Sequence, residues 1–151
     1  DEVYIPLGTT ANKQGRAAGE NAAGGDASFK GVIGTGIARV MEMEVSRTGL
    51  SEFECKKLGI NYISRLIKSK TAAHYCPISK EIYLKLIAEK DTRRLIGTQI
   101  VGYSGAAMRI DMLAAAITVG ATIEQLIDMD LAYSPPFSPV WDPVLVALNQ
   151  F

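Results

Sequence analysis

The stretch Ile82-Tyr-Leu-Lys-Leu-Ile-Ala-Glu-Lys-Asp-Thr-Arg-Arg-Leu-Ile-Gly-Thr-Gln-Ile-Val101 decides the fold. Two β-branched, apolar runs, Ile82 to Ala88 and Leu95 to Val101, flank the charged tip Glu89 to Arg94, a pattern that predicts an antiparallel hairpin. Upstream, Asn61 to Lys68 reads as a strand and Ala72-Ala-His-Tyr-Cys-Pro77 as a turn. Downstream of Gly105 the period changes from two to 3.6. Ala107 to Val119 then reads as a helix, apolar nearly all round apart from Arg109, Asp111 and Thr118. A helix apolar on every face must be buried, either in a larger core or against a partner chain.

Working outward again, Ser51-Glu-Phe-Glu54 is a capping box that opens a short helix ending near Gly59, just after a turn at Thr48-Gly49. Cys55, inside that helix, reads as a packed or partly exposed small residue. From Ala27 to Ser46 the apolar residues Val32, Ile33, Ile37, Val40, Met41 and Met43 alternate loosely around Gly31, Gly34 and Gly36. They predict one or two strands with a bend or bulge near the glycines. Thr122-Ile-Glu-Gln125 is a second capping box, and a last helix runs from Val144. The sum is an α+β domain, an antiparallel sheet with helices on one face.

Two segments stand apart from that core. Thr9 to Gly25 predicts a helix capped by Thr9 or Thr10 and stopped by Gly24-Gly25. Within it Gly15 and Gly19 share one face, at about 1 kcal/mol each against alanine. Something must lie close to that face, either a packed element or a cofactor approached by the backbone, with the helix N-terminus near Asn12 and Lys13 facing an anionic or electron-rich group. The second segment, Leu131-Ala-Tyr-Ser-Pro-Pro-Phe-Ser-Pro-Val-Trp-Asp-Pro143, holds four of the six prolines and the single tryptophan. Proline fixes φ and extends the residue before it, so this is a stiff, aromatic arm, either a connector or a presenting surface.

Composition narrows the function. With 151 residues and 48% apolar content the chain suits one well-packed domain. Sixteen basic residues balance sixteen acidic ones without a basic, aromatic patch, which argues against nucleic acid or an anionic membrane as partner. No apolar run approaches the ~20 residues of a membrane span. Cys55 and Cys76 lack CxxC spacing and His74 stands alone, so no metal site is expected and the setting reads as reducing and cytoplasmic. Asp1-Glu-Val-Tyr-Ile-Pro-Leu7 begins without Met or signal pattern, as a fragment would. No nucleophile–base pair or phosphate loop is visible. Gly31-Val-Ile-Gly-Thr-Gly36 does not fit GxGxxG and lies in a strand pattern.

Five blocks carry a family resemblance: Ile5-Pro-Leu-Gly-Thr-Thr-Ala-Asn-Lys-Gln-Gly-Arg-Ala-Ala-Gly-Glu-Asn-Ala-Ala-Gly-Gly25, Lys30-Gly-Val-Ile-Gly-Thr35, Ser46-Arg-Thr-Gly-Leu-Ser-Glu52, Ile96-Gly-Thr-Gln-Ile-Val-Gly102 and Leu131-Ala-Tyr-Ser-Pro-Pro-Phe137. Together they resemble the C-terminal dimerisation domain of the FAD-dependent pyridine nucleotide-disulfide oxidoreductases. The nearest branch comprises coenzyme A-disulfide reductases, NADH oxidases and NADH-dependent sulfur or polysulfide reductases. The resemblance implies that residues 1–25 are the tail of an FAD-binding domain and 26–151 a dimerisation domain. Pro6, Leu7, Thr9, Asn12, Lys13 and Gly15 would then lie near FAD. The catalytic cysteine and the sites for FAD and NAD(P)H would lie mainly upstream, leaving the fragment inactive alone. It further implies a homodimer in which Tyr133 and Tyr75 reach the partner's cysteine site to assist reduction of a small sulfur-containing substrate, or of dioxygen in an oxidase.

Three departures from the family pattern matter. No histidine follows His74, which disfavours the glutathione-reductase branch with its His–Glu dyad. Cys76 replaces a common second tyrosine, either as an extra thiol or as a neutral substitution. Val140-Trp-Asp142 replaces the commoner Ala-Lys-Asp, which weakens the case for coenzyme A phosphate binding there and moves weight to small sulfur species or dioxygen. A free-standing dimeric interaction module is the alternative from another class, and the cofactor-type helix at Ala11 to Ala22 argues against it.

Overall fold

The computed structural model describes residues 4–151. Its elements run α1 (Gly8–Ala22), β1 (Gly36–Val40), β2 (Met43–Gly49), α2 (Glu52–Leu58), β3 (Tyr62–Lys70), β4 (Glu81–Glu89), β5 (Leu95–Gly102), α3 (Arg109–Thr118), α4 (Ile123–Ile127) and α5 (Pro143–Leu148). The β4–β5 hairpin sits inside one five-stranded antiparallel sheet of order β1-β2-β5-β4-β3. Both central strands therefore have neighbours on each side, which is why their apolar runs are long.

Alternation along β4 sends Ile82, Leu84 and Leu86 to one face, where they meet Ile100 of β5 and the buried sides of α3, α4 and α5. Burying each such side chain stabilises the domain by about 1.5–3 kcal/mol. Glu52 of α2 instead bonds Ser64 and Lys85, which point away from that core. The three C-terminal helices thus cover one face, and α2 closes one end of the other.

Both capping boxes form. Ser51 Oγ accepts from Glu54 N while Glu54 accepts from Ser51 N at 2.7 Å, and Thr122 with Gln125 repeats the motif. Cys55 is fully buried, and α2 ends at Gly59 in the left-handed region. Where β2 meets β5, Leu50 N donates to Ile96 O at 2.8 Å. A side chain at Gly97 would collide with the Leu50 carbonyl, so this crossing demands glycine.

Two expectations need correction. α1 begins at Gly8 with Leu7 in the capping position, and neither Thr9 nor Thr10 caps it. Residues 27–35 form no strand. Glycine-punctuated alternation there mimics one, but the sheet starts at Gly36. Within this chain α3 turns Ile110, Leu113 and Ala116 to the core, while Met108, Asp111, Ala115 and Val119 are exposed. Nothing lies within 4 Å of a side chain built at Gly15 or Gly19, so no described element of this chain explains the glycine face. Residues 1–3, the start of the expected tail, lie outside the described residues.

Candidate functional site

The proline arm has no regular structure, yet it is firmly held. Phe137 N and Ser138 N both donate to Ser134 O, closing a tight turn after Pro135-Pro136. At its far end Asp142 Oδ1 accepts from Val144 N at 2.8 Å and so caps α5, with Pro143 in the first helical position. Sequence reading started that helix one residue later, and Asp-Pro before an apolar run is the signal that locates the cap.

The other half of the site is the turn between β3 and β4. Thr71 N donates to Lys80 O, Lys80 N to Thr71 Oγ1 at 3.1 Å, and Ser79 Oγ to Ala72 O at 2.9 Å, so the intervening residues form a closed loop. Ala73 N donates to Pro135 O at 3.0 Å and joins this loop directly to the arm. Two residues from each end of that bond stand Tyr75 and Tyr133, 65% and 50% exposed. His74 packs edge-on to Tyr75, with ring centroids 5.4 Å apart.

The fold therefore brings together two tyrosines separated by 58 positions in sequence. The Tyr75 phenol is held above its ordinary value of 10.0, first by loss of solvation, then by the Tyr133 phenol and by Cys76 beside it. Both effects disfavour a phenolate, so the group stays a proton donor through neutral pH. Phe137, Val140 and Trp141 are also well exposed and continue the surface along the arm, and Ile78 does so along the turn. Large apolar side chains left exposed on two joined segments suit an interaction site. Cys76 is a free, partly exposed thiol at this edge.

Sequence reading missed Arg109, which it took only as an interruption of an apolar helix. Its side chain, 11% exposed, pairs with equally buried Asp142 at 2.9 Å. The one cation in an otherwise apolar helix was the available signal.

The second cluster of expected residues is at α1. Pro6 and Leu7 line a cleft of about 670 Å³ with Tyr4, Gln14 and Phe29. Thr9 and Lys13 line a neighbouring one of about 470 Å³ with Lys30 and Thr35. Asn12 and Gly15 line neither cleft, and the Asn12 amide donates back to Gly8 O at 3.0 Å. The first turn of α1 has no side-chain cap, so its amides remain free to meet an electron-rich group. Among the described residues no cluster of three His, Cys, Asp or Glu could hold a metal, and no helix is long and apolar enough to cross a membrane.

Comparison with known proteins adds three findings. The family model described as pyridine nucleotide-disulphide oxidoreductase, dimerisation domain, matches residues 37–143. An NAD(P)H sulfur oxidoreductase (CoA-dependent) of Pyrococcus furiosus is 46% identical over 95% of the chain, and an NADH oxidase of Methanocaldococcus jannaschii is 37% identical over 99%. The solved NAD-dependent persulfide reductase of A. fulgidus superposes with a TM-score of 0.94 at 45% identity, over 99% of this chain and 28% of that one. The chain spans about a third of the length of these curated relatives, 32% and 33%.

Proposed function

The chain belongs to the pyridine nucleotide-disulphide oxidoreductase family as its dimerisation domain, and on that premise we propose the following role. Residues 26–151 pair two copies of a larger FAD- and NAD(P)H-dependent reductase that acts on disulfide, persulfide or polysulfide sulfur. Residues 1–25 are the end of its FAD-binding domain. The observation that carries this reading is the exposed Tyr75–Tyr133 pair, two phenols brought together from distant segments at the surface of the chain. Such a pair is built to complete a site on another chain.

The residues at α1 fit a flavin. The uncapped amides at Gly8 to Thr10 suit its electron-rich pyrimidine edge, and the bare Gly15 and Gly19 face leaves room for close approach of another domain or the ring. Pro6, Leu7, Thr9 and Lys13 border the same clefts, while Asn12 and Gly15 act through the helix backbone. Bound flavin supplies the relay of an electron pair from NAD(P)H to an upstream cysteine centre. In the partner's site the two phenols hydrogen-bond the substrate sulfur and donate a proton to the departing thiolate. Trp141, in place of a lysine, suits a small sulfur substrate better than a phosphate-bearing one.

Steady-state sulfur reduction by the full-length homodimer tests this. Tyr133→Phe and Tyr75→Phe should each lower kcat by roughly 100-fold or more, as expected for a lost proton donor, and wild-type rates in both would refute it. The NADH oxidase relative supports dioxygen as a second acceptor. Oxygen uptake exceeding sulfur turnover would favour that reading.

A further inference from the structure

Arg109 bonds both segments that carry the tyrosines. Its Nε donates to Asp142 Oδ2 at 2.9 Å, at the end of the arm. One terminal nitrogen, Nη2, donates to Thr71 O at 3.0 Å, at the start of the turn that carries Tyr75, and to Phe137 O at 3.4 Å, four residues beyond Tyr133. The other, Nη1, donates to Gly105 O, ahead of its own helix. Asp142 Oδ2 also accepts from Ser138 Oγ at 3.0 Å. A rigid planar fork of five N–H donors can serve four acceptors in different directions, which an ammonium on a flexible stem cannot.

We infer that Arg109 is a positioning residue that fixes Tyr75 and Tyr133 relative to each other. The inference rests on the proposed role of those tyrosines. Among the described residues the Ala73–Pro135 bond joins the backbones of turn and arm, and the Tyr75 and Tyr133 phenols meet beside it. Arg109 supplies the further attachments at Thr71, Phe137 and Asp142 and ties both segments to α3. Displacing a proton donor by about 1 Å reduces turnover far more than it reduces binding.

A double-mutant cycle on the flavin-loaded, full-length homodimer tests this. Arg109→Lys keeps the charge and removes the fork. It should lower kcat for sulfur reduction about tenfold while leaving the NAD(P)H KM and the rate of flavin reduction unchanged. In a Tyr75→Phe/Tyr133→Phe background the same substitution should change kcat by less than twofold. A role in stability alone would give equal losses in both backgrounds, and that result overturns the inference. Asp142→Asn, which retains an oxygen to cap α5 but weakens the pairing with Arg109, is the milder second variant and should follow the same pattern at smaller amplitude. If the tyrosine variants lose activity and Arg109→Lys does not, only this inference falls. If the tyrosine variants keep wild-type rates, the proposed function falls first and this inference with it.

Discussion

The arm at Leu131 to Pro143 and the helix α1 invert the usual relation between regularity and anchorage. The arm has no repeating backbone hydrogen bonds, yet it is pinned to β3–β4 through Ala73, to α3 through Arg109 and to α5 through Asp142. α1 is fifteen residues of regular helix, and Thr10 is its only buried residue. An exposed helix of this length is marginal by itself. Anchorage comes from bonds to distant parts of the chain, so an irregular segment can be the stiffer one. A stiff arm and a loosely attached helix also suit different tasks: one presents side chains in fixed geometry, the other waits for a neighbour to cover it.

The strongest way to break this contrast is Arg109→Met. Removing one partner of a buried ion pair leaves Asp142 charged without its cation, at a cost of about 3–5 kcal/mol. Urea unfolding should show that loss, and amide exchange at Ala73, Phe137 and Ser138 should accelerate while α1 is unchanged. Equal acceleration in α1 would mean that the two regions are coupled after all.

α2 lies between the extremes, short but capped. Ser51→Ala should lower stability by about 1 kcal/mol at neutral pH. Glu54 is held below its ordinary value of 4.5, first by the Ser51 hydroxyl, and Glu52 likewise by Ser64 and then Lys85. A carboxylate with a depressed folded pKa contributes stability above its unfolded value, and loses it as pH falls through the folded one. The Ser51→Ala deficit should therefore shrink in urea titrations below about pH 4, and a constant deficit would place the effect elsewhere.

The smallest global change is expected at α1. Gly15→Ala and Gly19→Ala meet open space, so each should add up to about 1 kcal/mol of local helix stability. Because so little of α1 is packed, the urea midpoint of the 151-residue chain should barely move while helicity by circular dichroism rises. In the full-length protein the same pair of substitutions should lower flavin retention, if another domain or the cofactor occupies the glycine face.

The legible parts of the fold were those in which local chemistry and tertiary context agree. The β4–β5 hairpin, both capping boxes and the Gly59 stop all follow from neighbours within a few residues. Residues 27–35 misled because alternation around glycines satisfies a strand pattern without any strand to pair with. The composition of α3 reports burial without saying against what, and this chain itself covers the Ile110, Leu113 and Ala116 side. Tyr75 and Tyr133 were singled out only through the family resemblance, and no spacing rule would have paired them.

By itself the sequence determined what short-range physics controls: where the sheet's central hairpin turns, where two helices are capped, and that the proline arm is not helical. Tertiary structure alone decided that the arm lies against the β3–β4 turn, because the Ala73–Pro135 bond and the Arg109 bonds to Thr71, Phe137 and Asp142 join groups 28 to 62 positions apart. Hydrogen-bond partners at that separation are chosen by how the sheet and helices pack, and no periodicity encodes them.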